Sequence, residues 1–356
     1  MKVTLIGHYP PPYGGVASLI AQVEVALRSE GFTVEVFNLG TGSPSGTHVT
    51  SFNTTNRAVQ FLQLLRAFLA SRSELFHYFS ASYRSFWLGM LCVALAKLRG
   101  RRCVVSLVGG SFKDFVEGLR PFARSAAAAG LRVCDALIAC NSEIEEVVSG
   151  LAPKKRVWRM SNRFAPSQGD SSVPDDLKVF VDSHSPVVSC TGAASREYGL
   201  PDALDAVARL RNEFPRIGLV LVLTKYGGAS YEADLRDAVL LLGLGQHVSI
   251  QKDLPSFVSL LKRSDAFLRT TLVDGDSVSV REALCLGVPT VASDTPFRPR
   301  GVILYRKGET GDLAAKLGGA LRSKGGGAPS DIREEGDENL SVLLEVYSSA
   351  VRPSRS

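Results

Sequence analysis

Two carboxylates eight positions apart, Asp274 and Glu282, stand in the stretch that runs from Thr271 through Gly275, Asp276, Ser277 and Val278 to Gly287, Pro289 and Asp294. The pattern reads as the end of a strand, a polar loop with a glycine, a short helix, a glycine stop and a second buried strand. Asp274 falls in the loop and Glu282 inside the helix. In an open parallel sheet, ligands bind beyond the carboxyl ends of the strands. A helix that starts there offers free N–H groups and partial positive charge to phosphate. The unit therefore suits a phosphorylated ligand, with Glu282 placed to accept hydrogen bonds from hydroxyls. A lone Glu on a helix is usually solvated surface. This one lies on a short helix that follows Asp-Gly-Asp-Ser and leads through Gly-Val-Pro into a buried strand.

Three further turns contain glycines where chemistry could sit. Pro10-Pro-Pro-Tyr13-Gly14-Gly15 follows the first strand-like run and precedes a helix. Adjacent glycines let a backbone approach a ligand closely, although the turn is not the dinucleotide fingerprint and could be structural only. Ser106-Leu-Val108-Gly109-Gly110-Ser-Phe-Lys113-Asp114 again closes a strand. There Lys113 and Asp114 either face a ligand or form the solvated first turn of a helix. The third turn is Gly192-Ala193-Ala-Ser-Arg196-Glu-Tyr198-Gly199, with Arg196 as its cation. Lys225 and Arg269 stand at the ends of two nearby strand-like runs. His8 and His77 read more naturally as turn or packing residues. No His, Cys or acidic set has metal-ligand spacing, and no nucleophile elbow occurs.

The elements that must hold these turns alternate. Strand-like runs at Val3–Gly7, Thr33–Phe37, Leu75–Phe79, Cys103–Leu107, Ala136–Cys140 and Val157–Met160 are separated by helical patterns at Val16–Arg28, Ala58–Ala70, Ser85–Leu98, Lys113–Ala129 and Glu143–Leu151. Such alternation implies a parallel sheet covered on both faces. The series breaks in a turn-rich stretch and resumes at Val187–Thr191. Strands follow at 219–223, 248–251, 266–270, 290–293 and 302–305. The expected helices lie at 201–213, 231–242, 256–263, 278–286 and 313–322. An amphipathic helix from about Glu334 to Ala350 comes last. The division expected is a first domain 1–165, a linker 166–185, a second domain 186–333 and a terminal segment 334–356.

The 356 residues suit two cores rather than one. Apolar content of 45% and charged content of 21% are those of a globular chain. The six cysteines have no paired spacing and read as reduced core residues. The start of the chain lacks a signal-peptide core. The longest apolar run, Phe86 to Ala96, is about half a membrane span. These features together suggest a cytoplasmic protein. The net charge of +6 is uneven, because Arg57 to Arg132 contain 12 basic and 3 acidic residues. Phe86, Trp87, Leu88, Met90, Phe112, Phe115 and Phe122 are interleaved with them. Basic residues beside apolar groups fit an anionic membrane surface better than nucleic acid, and a solvated basic face over core aromatics is the plainer alternative.

The acidic pair, followed by Ala283, Gly287, Pro289, Val291 and Ala292, resembles the retaining glycosyltransferases of family 4 (glycosyl transferases group 1). These have Glu, seven residues and Glu, followed by Ala-x-x-x-Gly-x-Pro-x-Val-Ala. Here Asp274 stands at the first acid. The Pro-Pro-x-x-Gly-Gly turn is similar to that family's N-terminal loop. The resemblance implies an α/β chain of the GT-B fold, with two Rossmann-like parallel-sheet domains, a cleft between them and a terminal helix that crosses back to the first. It assigns Glu282 to the ribose hydroxyls of a nucleotide sugar. Asp274 and the backbone at Gly275, Asp276, Ser277 and Val278 go to the donor sugar and phosphates, with Gly14, Gly15 and Gly192 close to the diphosphate. The first domain would take the acceptor near Tyr13, Gly109, Gly110, Lys113 and Asp114.

The departures from that family are specific. Val108 stands where it commonly has His, and Ala193 and Tyr198 stand where it has Arg and Lys. Arg196, Lys225 or Arg269 must then supply the cation for the leaving diphosphate, with Arg196 the first expectation. The resulting expectation is a metal-independent, cofactor-free, retaining hexosyltransferase that uses a UDP- or GDP-sugar. Its acceptor would be a glycan or lipid-linked molecule in surface polysaccharide assembly, at the inner membrane face. A catalytically degenerate GT-B protein that binds nucleotide or glycan as a regulator is the main alternative. A sugar-nucleotide epimerase is a third.

Overall fold

The protein is described by a computed structural model. It covers residues 1–40, 46–52, 56–164, 172–224, 229–252, 254–255, 257–323 and 330–351. The chain forms two units. Residues 1–12, 16–165 and 335–356 make the first, and residues 13–15 and 166–334 make the second.

The first unit is a seven-stranded parallel sheet in the order β3-β2-β1-β4-β5-β6-β7. Its strands are β1 (Lys2–Gly7), β2 (Thr33–Asn38), β3 (Val49–Ser51), β4 (Leu75–Ser80), β5 (Arg102–Leu107), β6 (Ala136–Ala139) and β7 (Val157–Arg159). Its helices are α1 (Gly15–Ser29), α2 (Arg57–Ala70), α3 (Arg84–Leu98), α4 (Phe112–Glu117), α5 (Pro121–Val133) and α6 (Ser142–Leu151). β4, Leu-Phe-His-Tyr-Phe-Ser, is buried at every position because both faces of the sheet are covered. Asn56 and Asn141 cap α2 and α6 through side-chain oxygens that accept from backbone N–H groups.

The single helix expected over Lys113–Ala129 is two. The chain leaves α4 at Gly118 and restarts with Pro121 in the first turn of α5. Proline cannot donate within a helix interior but suits a helix start. β3 was not expected either. It is a three-residue edge strand whose side chains are largely exposed. Among the aromatics expected to face outward, Phe86, Phe112 and Phe115 are instead buried core, whereas Trp87 and Phe122 are exposed.

The last helix, α13 (Ser330–Val351), completes the first unit from Glu335 onward. Tyr347 is buried, and its hydroxyl lies 2.7 Å from His77 Nδ1. His77 Nε2 lies 2.7 Å from Ser106 Oγ. Asn339 donates to the carbonyl of Ser161 at 3.2 Å and also bonds Ser161 Oγ at 2.8 Å. These polar contacts fix which face of the helix meets the sheet.

The second unit is a six-stranded parallel sheet in the order β10-β9-β8-β11-β12-β13. The strands are β8 (Val187–Gly192), β9 (Gly218–Leu223), β10 (Val248–Lys252), β11 (Ala266–Arg269), β12 (Thr290–Ser293) and β13 (Ile303–Tyr305). Its helices are α7 (Asp175–Ser183), α8 (Leu200–Leu210), α9 (Ala229–Leu241), α10 (Phe257–Leu261), α11 (Val278–Cys285) and α12 (Thr310–Arg322). Part of the expected linker is therefore α7, which packs Leu177 and Val181 against Val187, Val220 and Val222. Spacing of four residues places those two on one helical face. Strand order turns back between β8 and β11, so the switch point at which open parallel sheets bind ligands lies at their carboxyl ends. All six cysteines are free, five of them buried. Among the described residues, no helix is long and apolar enough to cross a membrane.

Candidate functional site

The carboxyl ends of β8, β11 and β12 in the second unit bring together most of the residues singled out there. β11 ends in Arg269. Its guanidinium donates through Nε to Asp274 Oδ2 at 2.9 Å, through Nη2 to Asp274 Oδ1 at 3.2 Å and through Nη1 to the carbonyl of Thr191 at 3.0 Å. A second arginine, Arg298, reaches the same carboxylate from the loop after β12. Its Nη1 donates to Asp274 Oδ2 at 2.8 Å. The rest of that guanidinium is held by Ser293, at 3.0 Å to both its carbonyl and its hydroxyl. Phe297, just before it, has φ of +66°, a left-handed conformation uncommon for a non-glycine residue. The strained turn aims Arg298 inward.

The charge balance of this cluster is uneven: two buried guanidinium groups share one carboxylate. Burial alone would raise the Asp274 pKa, but Arg269 and Arg298 outweigh it and hold the carboxyl below its usual range. Burial pushes the Arg298 guanidinium down, opposed by Asp274. Asp274 is thus a fixed anion, and one positive charge is left over. Buried charge costs heavily unless it is paired, so the site favours an anion.

The turn after β8 supports Arg269. Tyr198 lies over Gly192, where an added Cβ would come within 2.6 Å of the ring. The Arg269 guanidinium carbon is 5.3 Å from the centroid of the same ring, a distance at which ring and cation attract. Tyr198 thus replaces a cation in sequence but steadies another in space. Arg196 opens a short 3-10 turn, Arg196–Tyr198, and is exposed. It lies near enough to Tyr231 to act on that residue's ionisation, and no contact joins it to Asp274. Gly199 has φ of +55°, and a Cβ there would lie 2.4 Å from the carbonyl oxygen of Thr270. Gly199→Ala is expected to destabilise the second unit by about 2 kcal/mol or more, from backbone strain and displacement of the Thr270 loop. Thermal unfolding measures it, and an unchanged midpoint would mean that the loop yields freely.

Beyond Asp274, the loop is packed down. Asp276 Oδ1 accepts from Arg281 Nε at 2.6 Å. Ser277 caps α11 by accepting from the N–H of Val280 at 3.4 Å. Ser277 and Val278 are buried, and Glu282 is 9% exposed. Gly275, Asp276, Arg281 and Glu282 all have partners within the protein. Next to them, the buried hydroxyls of Thr271 and Thr295 have no partner. An unsatisfied buried hydroxyl costs about 1–3 kcal/mol, and a polar ligand would recover it.

In the first unit, Gly109 packs against Ser82, where an added Cβ would stand 2.8 Å from the hydroxyl oxygen. That buried hydroxyl has no partner. Val108 is half-buried and packs on the core. Lys113 pairs with Glu143 at 3.5 Å on a solvated surface, and Asp114 is exposed. A Cβ at Gly14 or Gly15 would meet nothing within 4 Å. Tyr13, Gly14 and Gly15 group with the second unit. Gly110 is half-buried. Lys225 lies outside the described residues. Sequence reading missed Arg298, Thr295 and Arg281. The available signal for Arg298 was an arginine just past the strand that neighbours the acidic loop.

Residues 176–313, most of the second unit, match the model of the family described as glycosyl transferases group 1. No curated protein sequence matches the chain. Several solved structures match its fold. Anabaena HepE, solved in complex with UDP-glucose, aligns over 98% of each chain with a TM-score of 0.72 and 16% identity. Sucrose-phosphate synthase from Thermosynechococcus elongatus aligns over 99% of this chain and 96% of its own, with a TM-score of 0.67 and 16% identity. A UDP-forming α,α-trehalose-phosphate synthase from Burkholderia xenovorans aligns over all of both chains, with a TM-score of 0.67 and 11% identity. The fold is GT-B. The match to glycosyl transferases group 1 lies within its second unit.

Proposed function

We propose that the protein is a retaining glycosyltransferase that moves a hexosyl group from a UDP- or GDP-sugar to a glycan or lipid-linked acceptor. The observation that carries this reading is the Arg269–Asp274–Arg298 cluster, with its surplus positive charge, at the switch point of a group 1 domain. That surplus is what a nucleoside diphosphate leaving group requires. It supplies the cation missing from positions 193 and 198, and it does so through Arg269 and Arg298 more directly than through exposed Arg196. The partnerless hydroxyls of Thr271 and Thr295 suit phosphate or sugar oxygens. HepE, of the same fold, was solved in complex with UDP-glucose, which favours a nucleotide sugar here.

In this mechanism the bond between the anomeric carbon and the diphosphate oxygen breaks first, and both electrons leave with the phosphate. The sugar becomes oxocarbenium-like. The acceptor hydroxyl attacks the anomeric carbon on the face the phosphate has left, and its proton passes to a phosphate oxygen. The products are a glycoside of unchanged configuration and a nucleoside diphosphate. Arginine charge in place before the reaction stabilises the developing phosphate charge without reorganisation, and removing one such donor typically costs about 100- to 1000-fold in rate. No metal is needed in this scheme. The acceptor belongs to the first unit, and surface polysaccharide assembly on the cytoplasmic side of a membrane is the setting that fits.

Calorimetry with UDP- and GDP-sugars, together with slow donor hydrolysis, tests the reading. One nucleotide class is expected to bind and to be hydrolysed. Binding without hydrolysis or transfer to any acceptor would favour a degenerate binding protein. Glu282→Gln keeps the volume and removes the charged acceptor. It is expected to weaken nucleotide binding by roughly 10- to 100-fold, the worth of a charge-assisted hydrogen bond. Unchanged affinity would take Glu282 out of the ribose site.

A further inference from the structure

Helices α2, α3 and α5 of the first unit contain not one Asp or Glu between them. They form one layer. Arg99, at the end of α3, donates to the carbonyls of Leu69 at 2.8 Å and Ser71 at 3.3 Å, at the end of α2. Gly130 of α5 packs against Met90 of α3, so closely that a Cβ would stand 2.5 Å from the sulfur. Each helix turns a buried row to the core: Leu64 and Phe68, then Phe86 and Ala96, then Ala127 and Leu131.

The opposite rows are apolar too. Leu62 and Leu69 of α2, Trp87 and Leu98 of α3, and Phe122 and Val133 of α5 are all exposed, Leu98 by 84% and Phe122 by 87%. Spacings of seven and eleven residues within each pair set its members on one helical face. Leu91 and Ala94 continue the α3 row between Trp87 and Leu98. The charges within these three helices are all positive, whereas neighbouring α4 and α6 carry the exposed acids Asp114, Glu117 and Glu146. Arg66, Arg84, Arg124 and Arg132 are exposed on the same three helices. A surface helix ordinarily turns a polar, mixed-charge face to water, and an exposed apolar surface on this scale marks an interaction site.

We infer that the outer face of the α2–α3–α5 layer docks onto an anionic lipid bilayer. The inference deepens the proposed function, since it rests on that reading for its biological purpose, and it places a lipid-linked acceptor within reach of the first unit. The occupant follows from complementarity. Apolar side chains enter the headgroup–acyl boundary while the arginines of these three helices meet lipid phosphates and anionic headgroups. The aromatics that carry this contact are Trp87 and Phe122.

Flotation with phosphatidylglycerol-containing vesicles and with phosphatidylcholine vesicles tests it. At low ionic strength the protein is expected to bind the anionic vesicles at least about tenfold better, and raised salt should reduce the difference by screening. The combined variant Leu62→Glu, Leu98→Glu, Phe122→Glu changes only exposed positions. It is expected to lose at least about tenfold in vesicle binding, because each removed side chain had apolar area to bury. Leu241→Glu, at an exposed site in the second unit, should change nothing. Equal binding to both lipids, or undiminished binding by the triple variant, overturns the inference. So does binding to soluble polyglutamate without binding to vesicles, which would point to an acidic protein partner. Nucleotide-sugar calorimetry on the same preparations separates the two readings. Donor binding without vesicle binding removes the surface and keeps the transferase, and vesicle binding without donor binding does the reverse.

Discussion

Asp274→Asn is expected to destabilise the second unit by about 3–5 kcal/mol and to abolish donor turnover. The carboxylate is the shared acceptor of two guanidinium groups. An asparagine of the same shape leaves two buried positive charges facing each other, and removing one partner of a buried ion pair typically costs this much. Chemical denaturation measures the stability, and donor hydrolysis the activity. A companion, Arg298→Met, takes away one cation and balances the remaining pair. It should be the less destabilising change while still impairing turnover. If Asp274→Asn matched the wild type in both assays, the cluster would be neither structural nor functional as described.

The first unit is expected to lose stability as pH falls from neutral, on account of His77. Burial holds this imidazole neutral and lowers its pKa to about 3. In the unfolded chain its pKa is about 6.5. Between those values the unfolded state binds the extra proton, so stability is fully present above about pH 6.5 and declines as pH drops toward 3. Each pKa unit is worth about 1.36 kcal/mol, so about 2 kcal/mol should be gone by roughly pH 5, above the range in which ordinary carboxylates titrate. His77→Gln, which can still reach Ser106 and Tyr347, should flatten the profile in that window. Denaturant unfolding at several pH values gives the slopes, and equal slopes for the two proteins would rule His77 out.

The two sheets were legible because each strand is a short apolar run and each helix repeats with its own period. β3 was not, since three residues with exposed side chains carry no alternation. α7 was hidden by Pro174 and two aspartates, which look like a turn, although Leu177 and Val181 have helical spacing. Asp274 and Glu282 could be singled out because the loop, helix, glycine stop and strand around them are local. The meaning of Tyr198 could not: as a letter it is a lost cation, and in space it is a platform for Arg269. Arg298 escaped because its tie to Asp274 spans 24 residues and depends on a left-handed turn at Phe297. Likewise, the sequence did not separate exposed from core aromatics in the basic stretch, since the core and the outer rows of α3 are both apolar.

The return of α13 to the first sheet imposes an order on synthesis. β1 to β7 leave the ribosome well before Tyr347 exists to meet His77. Until then, that side of the sheet presents His77 and Phe32 without their final cover. The second unit is contiguous apart from residues 13–15 and can close its own core first. Domains usually fold as they emerge. Here the half that starts the chain finishes last.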